Sequence, residues 1–204
     1  MSLSIKKLAL YFGGIYCTCL GVCLVLQAGY GLDSWNGVFA GLAQKTAVSI
    51  GGWSIIIQSA FLLTAYLLTK RLEIKCVFPI AIKGVLLDFT KTFLFVMPNT
   101  NTLYGSILFF AAGYLLVGIG TGVYVATGYP KMPIDGLMWA ISSAFGWSIG
   151  KARLLIEIVG FTTVLLVGGP FGVGSIVITF TIGHMIALFQ KAASTLLLKV
   201  QKEN

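Results

Sequence analysis

Charge is what this chain has least of. Only 10% of its 204 residues are charged, against about 25% in a soluble domain, while 57% are hydrophobic and the mean hydropathy is +0.95. That leaves too little polar material to cover a globule in water. An integral membrane protein is expected, and a soluble enzyme, a disordered tail and a nucleic-acid module are set aside. The net charge of +8 would suit nucleic acid, but the cations stand singly or in pairs beside apolar runs, which is how membrane proteins mark their cytoplasmic side. Histidine is nearly missing: His184 is the only one. There is no His-Glu-x-x-His, no Gly-x-Ser-x-Gly and no Gly-x-x-x-x-Gly-Lys, so no enzyme activity, metal or cofactor is expected. Cys17, Cys19 and Cys23 fall in one apolar run and Cys76 opens another. The three in the first run have no His, Asp or Glu close in sequence, and all four read as small apolar residues.

What is abundant is long apolar sequence. Six runs stand out: Leu8–Ala28, Ile50–Thr69, Cys76–Met97, Leu103–Thr127, Ala152–Gly168 and Val173–Gln190. At about 20 residues per spanning helix, the length allows six spans with short connections and leaves no room for a soluble domain. Lys6 and Lys7 precede the first run like a signal peptide, but that run is long enough to span and has a counterpart in the fourth. With the N-terminus inside, the cytoplasmic side receives Lys6, Lys7, Lys70, Arg71, Lys75, Lys131, Lys151, Arg153, Lys191, Lys199 and Lys202. The outer connections hold only Lys45; Pro98–Thr102 and Gly168–Gly172 hold no cation. Both termini are therefore expected in the cytoplasm. The tail 191–204, with Leu196–Leu198 and three lysines, is expected to rest on anionic lipid.

Internal repetition appears at one offset. Gly29-Tyr30 recurs as Gly128-Tyr129 (128 − 29 = 99), and Ser49-Ile50-Gly51 recurs 99 on as Ser148-Ile149-Gly150. The same offset pairs Gly14 with Gly113, Gly21 with Gly120, Gly37 with Gly136 and Gly84 with Gly183. The chain is treated as a single membrane domain of two repeats, residues 8–98 and 103–190. Each half holds three spans, an odd number, so the second enters the membrane inverted. The expected fold is all-α, with six transmembrane helices as two inverted three-helix repeats, the plan of many secondary transporters. A duplication kept for packing alone is the competing reading.

Between the first and second runs of each half lies a short apolar stretch, 32–42 and 132–141, with one polar residue before glycine: Asn36 and Asp135. Either residue is a plausible helix N-cap. Each half is thus expected to carry a short helix, either half-inserted toward the bilayer centre or lying flat at the interface, anchored by Trp35 and Trp139.

Lys83, Asp88 and Lys91 occupy the third run. Each costs about 2.5–3.5 kcal/mol near mid-helix, against a return of about 0.3–0.6 per apolar residue. That helix must turn its polar residues toward partners or water, although Asp88 and Lys91 are also spaced to neutralise each other. Arg153 and Glu157 lie four apart on one face of the fifth run, and the offset superposes Glu157 on Gln58. Arg153 also suits a snorkelling cytoplasmic anchor. His184 reads as a buried hydrogen-bonding residue, with a proton relay as the alternative.

The run Met132–Leu188 resembles the second half of YczE/YitT-type (YczE/YyaS/YitT) bacterial integral membrane proteins, nearer the YczE branch. The resemblance rests on Pro133, Asp135-Gly136-Leu137-Met138, Gly146, Arg153, Glu157, Gly168-Gly169, Gly172-Val173-Gly174 and Gly183, and in the first half on Trp35, Gly84 and Asp88. Asn36 stands where the family tends toward Asp, Ser175 where it tends toward Thr and His184 where it tends toward Pro. The YitT branch often adds a soluble C-terminal domain, of which the short tail here gives no sign. The resemblance implies a multi-pass protein of the bacterial cytoplasmic membrane and supplies no chemistry.

The expected function is a small-solute permease with a central polar site at the repeat interface, built from Asp135, Arg153, Glu157, Asp88, Asn36, Gln58 and Trp35. Half-helix N-termini would take the anionic end of a polar or zwitterionic solute, and buried carboxylates a cationic end or a coupling proton. Gly84, Gly120 and Gly183 would let helices approach closely. The alternative is a non-transporting accessory protein that binds or positions a partner membrane protein. Beyond the lipid bilayer and the solute, a homodimer is the assembly such a small bundle allows.

Overall fold

A computed structural model describes residues 3–71, 73–94 and 102–202, the side chains of 3, 4 and 199–202 aside. Eight α-helices lie among them: α1 Leu3–Ala28, α2 Ser34–Lys45, α3 Ile50–Thr69, α4 Val77–Leu94, α5 Leu103–Ala126, α6 Pro133–Phe145, α7 Ile149–Leu166 and α8 Val173–Lys202. All six apolar runs are helical, and the two short stretches are α2 and α6. The expected end of the third run at Met97, the connection through Asn101, and Glu203 and Asn204 lie outside the described residues. α1, α3, α5 and α8 are long and apolar enough to cross a membrane. α4 and α7 are 18 residues each and carry three charged residues apiece. The outward surface is apolar to match, with Leu63, Leu67, Phe93, Leu108, Leu154, Leu166 and Phe180 among many exposed large hydrophobic side chains. In water such a surface would aggregate; in lipid it is the solvated face.

Local chemistry sets the helix ends. Ser49 and Ser148 are both N-caps, their side chains accepting from the N–H of Gly52 and Lys151. The Ser148 cap starts α7 three residues before the apolar run begins. Pro133 occupies the first turn of α6, where its missing N–H is no loss. Helix α6 consequently starts earlier than expected, α2 does the same without a proline, and Asn36 and Asp135 are each the third helical residue, not the cap. Gly29 and Gly128 follow α1 and α5 with φ of 77° and 76°, the left-handed region that glycine enters without strain.

The chain forms two compact units, neither of which is a sequence half. The first comprises residues 1–33, 89–129 and 172–204, the second residues 34–88 and 130–171. In the first unit α1 packs along α5, and α5 also packs on α8. The α1–α5 crossing is made by glycine. A Cβ on Gly14 would lie 2.7 Å from the carbonyl oxygen of Gly120, and one on Gly21 would lie 2.6 Å from that of Gly113. Low residue numbers on one helix meet high numbers on the other, so the two run antiparallel. On its other side, α5 uses Gly118 against Met185 and Gly122 against Phe189 of α8. Thr18 and Thr121 hydroxyls sit 3.3 Å apart within the crossing.

In the second unit α2 packs on α3 and α7, and α6 packs on the same two helices. An apolar cluster of Phe61, Leu137, Ile141, Ala152 and Ile156 joins α3, α6 and α7, with Trp35 of α2 packed against it.

Candidate functional site: a polar cluster at the start of α2

Buried polar residues differ in kind between the units. The first buries Thr18, Thr90, Thr127 and Ser175; the second buries Ser34, Asn36, Ser54, Gln58 and Lys83. Hydroxyls of Ser and Thr satisfy themselves on the helix backbone, as Thr18 does on the carbonyl of Gly14. Amide and ammonium groups have no such local outlet. Gln27 Oε1 of α1 in the first unit is also buried without a hydrogen-bond partner, but the second unit holds most of them.

Its centre is the first turn of α2. Ser34, only 1% exposed, donates its hydroxyl to Glu157 Oε2 at 2.6 Å. Glu157 is half-buried and stands midway along α7. From there α2 follows the second half of α7. A Cβ on Gly160 would strike Ser34 and Trp35, Gly37 packs on Val164, and Gly41 packs on Val167 and Gly169. Contacts advance together along both helices, so α2 runs parallel to α7, beginning beside its middle and ending beside its C-terminus. The glycines permit this approach. The helix dipole then places a partial positive charge at Ser34, where Glu157 complements it.

Trp35 faces α3. Its ring meets Phe61 edge-on at 4.6 Å between centroids. Phe61, Gln58 and Ser54 share the buried stripe of α3 at spacings of three and four residues. Three polar atoms here are buried with no hydrogen-bond partner: Trp35 Nε1, Gln58 Oε1 and Ser54 Oγ. Gln58 is 4% exposed and Ser54 1%, and leaving such groups unmade costs about 1–3 kcal/mol each.

The other expected site residues fall into two further places. Asp135, half-buried in the first turn of α6, lies within electrostatic reach of Lys131, Arg153 and Lys83. Lys83 is buried at 9% exposure and Arg153 is exposed. Asp88 is committed to the start of α3: it accepts from Ser49 Oγ at 2.5 Å and from the Gly51 N–H at 2.8 Å. Gly51 is seven residues before Gln58, about 10 Å along the helix. Asn36 is buried on α2.

One expectation changes: His184, expected to be buried, is exposed on α8. At the start of α2, where the anionic end of a solute was expected, the first helical residue Ser34 gives its hydroxyl to the protein's own Glu157. Ser34 was not singled out from sequence; its one signal was its place directly after Asp33, opening the short apolar stretch. Among the described residues no three His, Cys, Asp or Glu side chains gather as a metal site, and none of the four cysteines is in a disulfide.

Comparison with known proteins places the chain in a family. Residues 5–191 match the model of the family described as "Family of unknown function (DUF6198)". The chain belongs to that family. It is 32% identical over 178 residues to the "Uncharacterized membrane protein YczE" of Bacillus subtilis (strain 168), covering 86% of this chain and 81% of that one. It is 30% identical over 182 residues to the "Uncharacterized protein YyaS" of the same organism, covering 87% and 89%. An "Uncharacterized protein" of Haemophilus influenzae is 31% identical over 170 residues, covering 83% and 77%. The YczE/YyaS assignment suggested by the Pro-x-Asp-Gly-Leu-Met and Arg-x-x-x-Glu spacings therefore holds, and so does the membrane location. No solved structure matches the chain.

Proposed function

We propose that this member of the YczE/YyaS family is a small-solute permease of the bacterial cytoplasmic membrane, with its solute site at the start of α2. The observation that carries this reading is the set of unpartnered buried atoms on the packed helices α2 and α3, Trp35 Nε1, Gln58 Oε1 and Ser54 Oγ, in the unit that also holds the Ser34–Glu157 pair. Packing alone gives no reason to bury an amide oxygen unpaired on a helix that has apolar residues to spend there. A ligand or water that passes through supplies the missing partner.

An inverted-repeat architecture is part of the proposal, and the 99-residue offset supports it from several directions. Shifted by 99, α2 becomes 133–144 and α3 becomes 149–168, near the observed α6 and α7. The α1–α5 contacts exchange under the same shift: Gly14 with Gly120 becomes Gly113 with Gly21. So do aromatic pairs, Tyr30 with Phe110 becoming Tyr129 with Tyr11. A local twofold axis through the α1–α5 crossing accounts for the glycine and aromatic exchanges. In this reading α4 and α7 also span. At 18 residues each is about 27 Å long, close to the roughly 30 Å hydrocarbon core; Lys83, Asp88, Lys91 and Glu157 are buried or half-buried, while Lys151 and Arg153 are exposed in the first turns of α7. The parallel course of α2 along α7 favours a half-inserted helix over one lying flat. Both termini lie in the cytoplasm by the lysine and arginine bias.

A thiol placed at the site tests the permease reading. With the four native cysteines replaced by alanine, Gln58→Cys should react with a small hydrophilic methanethiosulfonate applied to intact cells or to inverted vesicles. Modification from at least one face is the expected result. A thiol inert from both faces means a sealed core, and the accessory-protein reading then takes over.

A further inference from the structure

His184 stands in the wrong place for a lone chain. Its depth follows from contacts within the first unit. Gly118 of α5 packs on Met185 of α8 and Gly122 on Phe189, each 67 positions on, and at the same interval the Tyr114 hydroxyl donates to Thr181 Oγ1 at 2.8 Å. Helices α5 and α8 are therefore parallel, and His184 is level with Val117, about 4 Å from the midpoint of α5. An ionisable ring at mid-bilayer belongs inside a bundle or against water, yet this one is exposed.

Its neighbours on that surface form a pattern. From Val177 through Thr181, His184 and Leu188 to Leu198, steps of four and three residues alternate, and every residue on the stripe is exposed. That is the 3.5-residue spacing of a helix paired with another helix. The buried residues Ile178 and Ile182 lie on the other side of α8, with Met185 and Phe189. The stripe also outruns the bilayer. Leu198, 60% exposed, lies about 25 Å along α8 from the level of the α5 midpoint, whereas half the hydrocarbon core is about 15 Å. Lipid offers His184 no hydrogen bond and does not reach Leu198.

We propose that this stripe joins two copies of the chain, paired in parallel through α8 about a twofold axis along the membrane normal. Copies inserted in one orientation set each residue on such an axis opposite its twin. A neutral imidazole suits that position, because one nitrogen donates and the other accepts. A carboxylate or an ammonium could not bond its own twin in this way. Lys191, also on the stripe, has the long stem that carries its charge out to the cytoplasmic headgroups. The pairing does not depend on the permease reading.

Subunit counting in lipid vesicles tests it. Fluorescently labelled full-length protein, reconstituted at high dilution, should bleach in two steps. His184→Leu should weaken the association by about three- to thirtyfold, the worth of an interhelical hydrogen bond in a bilayer. His184→Asn keeps a donor and an acceptor and should retain most of it. The ring is exposed, so both changes leave the single chain folded. Oxidative crosslinking in native membranes reads the face separately. With the four native cysteines replaced by alanine, Val177→Cys and Leu198→Cys should each give disulfide-linked dimers. Ile176→Cys, exposed on α8 but off the stripe, should not. Single-step bleaching without crosslinks along the stripe means that lipid or another protein covers it, and the proposal falls. It falls equally if dimers crosslink through Ile176→Cys instead, or if His184→Leu associates as strongly as the parent.

Discussion

Inserting a single methyl group at the α1–α5 crossing should separate two glycine positions that look alike in sequence. Gly13 and Gly21 are both interior to α1. A Cβ on Gly13 meets nothing within 4 Å, whereas one on Gly21 would lie 2.6 Å from the Gly113 carbonyl oxygen and 2.7 Å from the Val117 nitrogen. Both obstacles are backbone, so no side chain can swing aside. Ordinary contact for a Cβ begins near 3.4 Å, so the helices must open by 3.4 − 2.6, or 0.8 Å, along a crossing whose other glycines share the same close approach. Overpacking of this kind costs about 1–3 kcal/mol. Gly13→Ala, by contrast, gains up to about 1 kcal/mol of helix propensity. The two variants should therefore differ by about 1–4 kcal/mol, or roughly 2–16 °C in melting temperature at about 2–4 °C per kcal/mol. Differential scanning fluorimetry on detergent-purified protein reads this directly. Adding Gly113→Ala to Gly21→Ala should cost less than the sum of the two, because both methyl groups open the same gap. Equal melting of Gly13→Ala and Gly21→Ala would refute the glycine crossing.

Two further outcomes follow from the same contacts. Asp88→Ala removes the acceptor of both the Ser49 hydroxyl and the Gly51 N–H and should lower stability by about 1–3 kcal/mol, measured by the same melts; no change would show that the α3 start is held by Ser49 alone. His184→Ala should leave stability within about 0.5 kcal/mol, since the ring is exposed on α8, and a larger loss would overturn that placement.

Hydropathy made the helices legible because a membrane span is a long, uninterrupted signal: α3 begins and ends where its apolar run does. Short-range rules fared less evenly. Asn36 and Asp135 carry good capping side chains, yet both helices start three residues sooner than those caps would set, in α6 because Pro133 fixes a helical φ before Asp135 is reached. The tail Lys191–Lys202 is not a separate element but continues α8, because nothing in it breaks a helix. Which polar residues meet was least legible. Glu157 and Ser34 are 123 positions apart, and only the packing of α2 on α7 brings them together. Asp88 looked like a site residue by charge alone; its partners, Ser49 and Gly51, lie on the preceding helix and have no spacing that sequence can flag.

The interleaving of the two units has a consequence for how the protein is made. The α1 face bearing Gly14 and Gly21 waits for α5, and Ser34 waits for Glu157, each partner about a hundred residues or more downstream. Neither unit closes until the last third of the chain is being made, since one needs residues 130–171 and the other residues 172–204. At about 5–20 residues per second of synthesis, Ser34 and the grooved side of α1 spend several seconds to tens of seconds in or near the bilayer without their final neighbours. Biogenesis of this fold therefore depends on a sheltered wait during insertion, and slowing translation after α3 should lower yield even where the finished protein is fully stable.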